Sequence, residues 1–175
     1  MTAPRVKLDI DTTRDKLAAL GCGYAAEALE PLLAESVRAE LAAHLFLDRL
    51  LDAERAGREE RRVRTMLKSS KIPTGQTLET FDFAFQPAIE RSRIETLATG
   101  AWIRSAEVIL MQGPPGVGKS HLLVGLGVRA IQLGFSVQYF RFDELLTALR
   151  ADAHLPPARL KSRKYMSSSL LLVDE

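Results

Sequence analysis

Leucine and alanine recur at spacings of three and four through the first part of the chain. Such spacings place side chains on one face of a helix. A second periodic stretch, from Ser36 to Leu67, suggests a partner helix that Ser36 could cap and that Gly57 could bend or interrupt. We therefore predict a helical hairpin within residues 1–72. The periodic positions are Leu17, Leu20, Ala25, Ala28, Leu29, Leu32, Leu33, Val37, Leu41, Leu45, Leu50 and Leu51.

A break follows the helical region. Ile72-Pro73-Thr74-Gly75 contains the two residues that most disfavour helix continuation. The aromatic-rich stretch Thr77–Phe85 is expected to be extended or irregular, and Glu90–Thr99 is expected to form a short helix. We interpret residues 73–100 as a linker and pre-core segment.

Residues 101–175 show short apolar runs separated by helical periodicity. Apolar runs of this length suit buried strands, and their alternation with helices predicts an α/β fold with a parallel sheet and right-handed crossovers. A helix from Lys119 to Leu133 would stop at Gly134, and Asp143 would cap a helix reaching about Ala151. The predicted strands are Glu107–Met111, Ser136–Phe140 and Leu170–Val173.

A phosphate loop lies between the first predicted strand and the helix after it. Gly113-Pro114-Pro115-Gly116-Val117-Gly118-Lys119-Ser120 matches the pattern G-x-x-x-x-G-K-[ST]. The glycines let backbone N–H groups turn toward an anion at a helix N-terminus. Lys119 would contact the β- and γ-phosphates, and Ser120 would offer its hydroxyl to Mg²⁺. His121 is included in this predicted nucleotide site, although packing on the helix is its simpler interpretation.

Asp174 and Glu175 follow the last predicted strand. A carboxylate at the end of a buried strand can hold Mg²⁺, usually through water, so we assign this role to Asp174. An adjacent Glu can orient or deprotonate an attacking water, which makes Glu175, together with Lys119, the candidate catalytic pair. The alternative is an acidic strand end without a ligand. With the phosphate loop upstream, the pattern predicts ATP and Mg²⁺ as cofactors.

The composition of the chain says more about its compartment and its possible partners than about the reaction it carries out. The chain carries 24 Lys and Arg against 22 Asp and Glu. The protein therefore has no strong overall electrostatic field that would favour binding to nucleic acid or to a membrane. Cys22 is the single cysteine, which excludes an internal disulfide. No apolar run approaches the roughly 18 residues of a membrane span. We interpret the protein as cytoplasmic, without a membrane partner.

Positive charge is nevertheless concentrated between Arg58 and Lys71, where six basic residues accompany two acidic ones. A basic helical stripe could contact DNA phosphates without reading sequence. The alternative is a solvated helix face. A second basic segment, Arg159–Lys164, has the same two interpretations. The candidate DNA contacts are Arg58, Arg61, Arg62, Arg64 and Lys68.

GPPGVGKSHL and LLLVDE resemble the Walker A and Walker B patterns of the AAA+ ATPases. More narrowly, the chain resembles the IstB-like ATP-binding proteins, which help insertion-sequence transposases and are related to the DnaC-type helicase loaders. The narrower resemblance adds the leucine-rich N-terminal helices and runs through essentially the whole chain. Its further residues are Glu54, Arg58, Arg61-Arg62, Lys71-Ile72-Pro73, Thr77–Phe83 and Gly118–Leu122.

The resemblance implies an ATPase that assembles on DNA, delivers a transposase to its target and places nucleotide between neighbouring copies. A DnaC-type helicase loader and a non-catalytic remnant remain alternatives. A small-molecule kinase, which also uses a phosphate loop, is disfavoured by the Asp174-Glu175 pair and by the long helical N-terminal region. Kinases of that type usually begin with the phosphate-loop strand close to the N-terminus.

The resemblance also implies that the chain is a truncated form. IstB-like proteins continue past the Walker B pattern with a sensor strand, an arginine finger and a helical part. We therefore expect a partial AAA+ sheet in which Glu107–Met111 and Leu170–Val173 lack the strand between them. Open edges of this kind cost stability, and we expect slow or absent hydrolysis.

Overall fold

The computed structural model describes residues 9–175. The chain divides into two compact units, with the boundary between Arg62 and Val63. The first is helical. The second combines helices with a parallel pair of strands.

Three helices build the first unit. They are α1 (Ile10–Ala19), α2 (Gly23–Arg38) and the first part of α3 (Ala43–Ser70). Their core consists of the buried side chains of Ala25, Leu29 and Leu50, with Leu17 and Leu32 packed against it. The prediction that the periodic positions face inward holds for these residues but is wrong for four others, Leu20, Val37, Leu45 and Leu51, which are exposed. The helical N-terminal region is thus confirmed.

The predicted cap at Ser36 is wrong. Ser36 lies inside α2, where its hydroxyl donates a hydrogen bond to the Leu33 carbonyl at 3.1 Å. A serine inside a helix commonly bonds back to the preceding turn in this way. The chain turns a few residues later, where Glu40 has a positive φ of 48° and the Leu41 N–H donates to the Ser36 carbonyl.

Gly57 does not interrupt α3, contrary to one of our expectations. A Cβ atom at this position would lie 2.2 Å from Cγ of Tyr24. The glycine therefore serves a close approach between the Tyr24 ring and the backbone of α3.

The second unit follows the predicted alternation of helices and strands from Lys119 onward. Its two strands, β1 (Val137–Arg141) and β2 (Leu170–Asp174), pair in parallel, with Val137 opposite Leu170 and Arg141 opposite Asp174. The α/β class and the parallel arrangement are therefore confirmed. Its elements after α3 are α4 (Arg91–Leu97), α5 (Ala101–Arg104), α6 (Lys119–Gln132), β1 (Val137–Arg141), α7 (Phe142–Asp152), α8 (Pro157–Lys161), α9 (Lys164–Ser167) and β2 (Leu170–Asp174).

Helix α6 packs closely on the sheet and forms the centre of this unit. Val124 and Ile131 of α6 are fully buried in one cluster with Leu170 and Leu172 of β2. Gly127 permits the close packing, because a Cβ atom there would lie 2.3 Å from Cδ1 of Leu172. The start of α6 is consequently fixed relative to the end of β2.

The predicted strand at Glu107–Met111 is wrong. This segment has no strand structure, and the sheet formed within residues 9–175 contains β1 and β2 alone. Val108 and Leu110 are 94% and 86% exposed. An apolar run becomes a strand only where a neighbouring strand satisfies its N–H and C=O groups, and no strand pairs with this segment within residues 9–175.

The predicted capping role of Asp143 is also wrong, because α7 begins at Phe142 with Arg141 as its N-cap. Asp143 instead lies in the first turn, where a carboxylate interacts favourably with the helix dipole.

Candidate nucleotide site

The phosphate loop runs from Gly113 to Ser120 and leads directly into α6. Gly116 and Gly118 have φ of 79° and 90°, the left-handed region that glycine enters without a Cβ penalty. The first N–H groups of a helix have no partner within the helix and carry partial positive charge. The loop therefore presents its donors where an anion can bind, at the N-terminus of a helix of 14 residues.

Lys119 lies folded over this loop. Its ammonium donates hydrogen bonds to the carbonyls of Gly113 at 2.9 Å and Pro114 at 3.0 Å. These bonds keep the positive charge against the loop. Phosphate oxygens arriving at the same place would offer the ammonium stronger, charged acceptors.

Ser120 and Asp174 meet although they lie 54 residues apart in sequence. The Ser120 hydroxyl donates to Oδ1 of Asp174 at 2.9 Å. The contact joins the first turn of α6 to the last residue of β2. A hydroxyl and a carboxylate are oxygen ligands that suit Mg²⁺, which usually takes few protein ligands and completes its shell with water and phosphate. These residues fit Mg²⁺ bound together with a nucleotide.

Tyr139 is part of the same arrangement and was missed by the sequence analysis. Its hydroxyl donates to Oδ2 of Asp174 at 3.0 Å. Burial, and then the hydrogen bond to Asp174, raise the pKa of the Tyr139 phenol above its ordinary value, so the group remains a donor at neutral pH. Nothing in the neighbouring sequence distinguishes this tyrosine, since only the register of β1 against β2 brings it near Asp174.

The segment before α4 braces the end of the phosphate loop. Phe81 is 9% exposed, and its ring would contact a Cβ atom at Gly118 at 2.6 Å. His121 lies edge-on to the same ring, with Nε2 2.9 Å from the Thr77 carbonyl and 3.1 Å from the Thr80 hydroxyl oxygen. Because a carbonyl can only accept, Nε2 carries the proton. His121 is thus held by packing and hydrogen bonds, and its assignment to the nucleotide site stays a prediction.

A cavity of about 630 Å³ opens beside the loop and the end of β2. Lys119, Asp174 and Glu175 line it together with apolar side chains that include Met111 and Leu123. This volume is within the range of small-molecule sites. The exposed Glu175 borders the cavity, but its catalytic role stays a prediction.

The candidate DNA-contacting residues all lie on α3, where Arg58 and Arg62 form ion pairs with acidic residues of the same helix. Arg58 donates to Glu54 at 2.6 Å and to the Gly21 carbonyl at 3.0 Å. Arg62 donates to Glu59 at 2.8 Å. Arg61, Arg64 and Lys68 are exposed. Arg58 therefore has a structural role in the first unit, and DNA contact by any of the five stays a prediction.

Glu54 connects that pair to the backbone of α2. Its Oε2 accepts the Ala25 N–H at 2.9 Å, and its side chain is buried. The hydrogen bond from Ala25, followed by that from Arg58, lowers the pKa of the Glu54 carboxyl. The charged form of Glu54 is therefore the one that stabilises the helical unit.

A model of a known protein family matches nearly the whole chain. The family model described as "IstB-like ATP binding protein" matches residues 15–175. The chain belongs to this family. The matched range of this IstB-like chain includes the phosphate loop and Asp174, as the resemblance of their motifs predicted.

Similar proteins come from insertion sequences of several bacteria. The putative ATP-binding protein of insertion sequence IS5376 from Geobacillus stearothermophilus is 37% identical over 130 residues, which cover 74% of this chain and 52% of that protein. The putative ATP-binding protein of IS21 from Pseudomonas aeruginosa is 35% identical over 147 residues, covering 84% of this chain and 56% of that protein. The IstB-like chain thus spans about half the length of these curated relatives.

Within residues 9–175, no helix is long and apolar enough to cross a membrane.

Proposed function

We propose that the chain binds ATP with Mg²⁺ at the phosphate loop, as the nucleotide-binding part of an IstB-type transposition helper. The observation that carries the proposal is the hydrogen bond between Ser120 and Asp174. Each residue belongs to a separate motif, and the fold joins the two at one end of the parallel sheet. Ligands of open α/β sheets bind outside the carboxyl ends of the strands, where this contact lies.

Each group at the site has a distinct role in this proposal. Backbone N–H groups of the phosphate loop receive the phosphate oxygens, and Lys119 exchanges its two carbonyl partners for the β- and γ-phosphates. Ser120 and Asp174 hold Mg²⁺, which neutralises phosphate charge when it is bound. Glu175 orients the attacking water if hydrolysis follows.

The origin of the relatives in insertion sequences supports a role in transposition rather than in helicase loading. Both relatives described above are named as putative ATP-binding proteins of insertion sequences. We therefore propose that the ATP-bound protein assembles with further copies of itself on DNA, without sequence preference, and works with the transposase of the same element. A helicase partner would instead favour the loader alternative.

Nucleotide binding is tested with a fluorescent ATP analogue and Mg²⁺. Removing the Lys119 ammonium in Lys119→Ala should weaken binding by about 10- to 100-fold, since hydrogen bonds to charged groups contribute about 1.5–3 kcal/mol. Lys16→Ala, which removes an exposed lysine of α1, is the control and should bind as the wild type does. Equal binding by Lys119→Ala and wild type, or none by the wild type, would contradict the proposal.

DNA contact is tested separately by fluorescence anisotropy with a duplex of arbitrary sequence at several salt concentrations. A lysine or arginine that neutralises one phosphate contributes about 0.9 to the slope of log affinity against log salt. Arg61→Ala should therefore weaken binding and reduce the slope by about 1, equally for unrelated sequences. An unchanged slope would remove Arg61 from the predicted DNA-contacting residues.

A further inference from the structure

We propose that Tyr139 is a positioning residue that holds the Asp174 carboxylate in the orientation needed to bind Mg²⁺. The inference rests on the proposed function, because it concerns the metal of the same nucleotide site. Tyr139 belongs to neither sequence motif. Its role follows from the parallel pairing of β1 with β2.

The two oxygens of Asp174 have different partners. Oδ1 accepts the Ser120 hydroxyl at 2.9 Å, and Oδ2 accepts the Tyr139 hydroxyl at 3.0 Å. Two donors at opposite oxygens determine the rotation of the carboxylate about its Cβ–Cγ bond. Without the hydrogen bond from Tyr139, only Ser120 would hold the carboxylate, and the position of Oδ2 would no longer be fixed.

The strand register explains why a tyrosine on β1 reaches this carboxylate. Tyr139 lies opposite Leu172, and Arg141 lies opposite Asp174. Since side chains alternate along a strand, Tyr139 and Asp174 point to the same face of the sheet. The phenol then extends along the sheet toward the end of β2, where the carboxylate lies.

The ring itself is held by the core. Tyr139 is half-buried and packs against the cluster that contains Leu170 and Leu172. A tyrosine side chain has two rotatable bonds, so packing of the ring also fixes the position of its hydroxyl. The sheet core thereby determines the geometry of a polar site at its edge.

The binding of Mg²⁺ should depend on the orientation of Asp174 more strongly than the binding of the nucleotide does. Mg²⁺ demands near-ideal octahedral geometry, whereas loop N–H groups and Lys119 bind phosphate independently of Asp174. Partners that orient a metal ligand typically contribute 10- to 100-fold to metal affinity. Loss of the Tyr139 hydroxyl should therefore raise the Mg²⁺ requirement without changing nucleotide affinity in the absence of metal.

The chain contains a matched control. The Tyr165 hydroxyl donates to Oδ2 of Asp152 at 2.8 Å, while Arg163 donates to the other oxygen. This is the same tyrosine–aspartate contact, and neither residue lines the cavity beside the phosphate loop. Tyr165→Phe removes an equivalent hydrogen bond and should leave the Mg²⁺ requirement unchanged.

The experiment titrates Mg²⁺ into the full chain with a fluorescent ATP analogue and records the Mg²⁺ concentration at half-maximal binding. Tyr139→Phe should raise this midpoint on the order of 10-fold. In EDTA, where no metal is bound, the same variant should bind the analogue with the affinity of the wild type. In the Asp174→Asn background the same change should add nothing, because the oriented carboxylate is already absent. Far-UV circular dichroism checks that each variant is folded, and Tyr139→Met provides a second variant without a hydroxyl.

Three outcomes would overturn the inference. A folded Tyr139→Phe or Tyr139→Met with the wild-type midpoint would show that the hydroxyl does not position Asp174. An equal shift in Tyr165→Phe would show a general effect of lost stability. A wild-type chain that binds no analogue at any Mg²⁺ concentration would refute the proposed function, and the inference with it. The first two outcomes leave ATP binding intact, so the two failures are distinguishable.

Discussion

Gly127 lies where the backbone of α6 packs tightly against Leu172, and replacing it with alanine should push the helix away from β2. The new Cβ atom would lie 2.3 Å from Cδ1 of Leu172 and 3.1 Å from Cδ1 of Ile72. Carbon atoms pack best at about 3.5–4.0 Å, so the first contact is too close by more than about 1 Å. Leu172 is 3% exposed, so rotation of its side chain away from the new methyl group would disturb the packing of the core around it.

Two opposing effects set the size of the loss. Overpacking a core lowers the free energy of unfolding by about 1–3 kcal/mol, whereas alanine in place of glycine within a helix raises it by about 1 kcal/mol. We expect Gly127→Ala to lower the free energy of unfolding by about 1 kcal/mol. With a urea m-value of roughly 1–3 kcal/mol/M, the unfolding midpoint should fall by about 0.5 M.

A double-mutant cycle in urea, followed by far-UV circular dichroism, separates this clash from other effects. Leu172→Ala alone should cost about 2–5 kcal/mol because it leaves a cavity. In the double variant the Gly127→Ala methyl group would enter that cavity, so the two losses should be less than additive by about 1–2 kcal/mol. Additivity within about 0.5 kcal/mol would refute the argument that these two residues are in contact at their packing limit.

Two further predictions concern the helical unit. Gly57→Ala should lower the melting temperature, because its Cβ atom would lie 2.2 Å from the Tyr24 ring, whereas Gly23→Ala should not, because nothing lies within 4 Å; equal melting temperatures for the two variants would contradict this. The lowered pKa of Glu54 means that its charge stabilises the fold fully above its ordinary value of 4.5 and ceases to do so as the pH falls through the lower, folded value. Glu54→Gln should therefore reduce the melting temperature at pH 7 and much less at pH 3, and an equal reduction at both would show that the charge is not responsible.

Local sequence patterns predicted those features that depend on neighbouring residues. Lys119–Gln132 is a helix followed by Gly134 with φ of 97°, as the apolar period and the glycine indicated. Leu170–Val173 pairs as a strand, with Leu170 and Leu172 buried, and continues to Asp174. The family resemblance rested on motifs of the same local kind, and the family match confirms it.

Features that depend on distant residues were missed or wrong. Glu107–Met111 has the composition of a strand, but no strand pairs with it in the described chain, and Val108 and Leu110 are exposed. Tyr139 lies 35 residues from Asp174, and only the strand register places their side chains together. Ser36 was assigned to a helix start because its side chain suits a cap, yet it donates within the preceding turn instead.

The central claim is that the phosphate loop and the end of β2 form one site for ATP and its metal. The most direct test is an anomalous difference map from crystals of the chain grown with a non-hydrolysable ATP analogue and Mn²⁺ in place of Mg²⁺. The account predicts phosphates over Gly113–Ser120 and a metal peak at about 2.1 Å from the Ser120 hydroxyl, beside Asp174. Nucleotide bound elsewhere, or a metal peak remote from both residues, would contradict it.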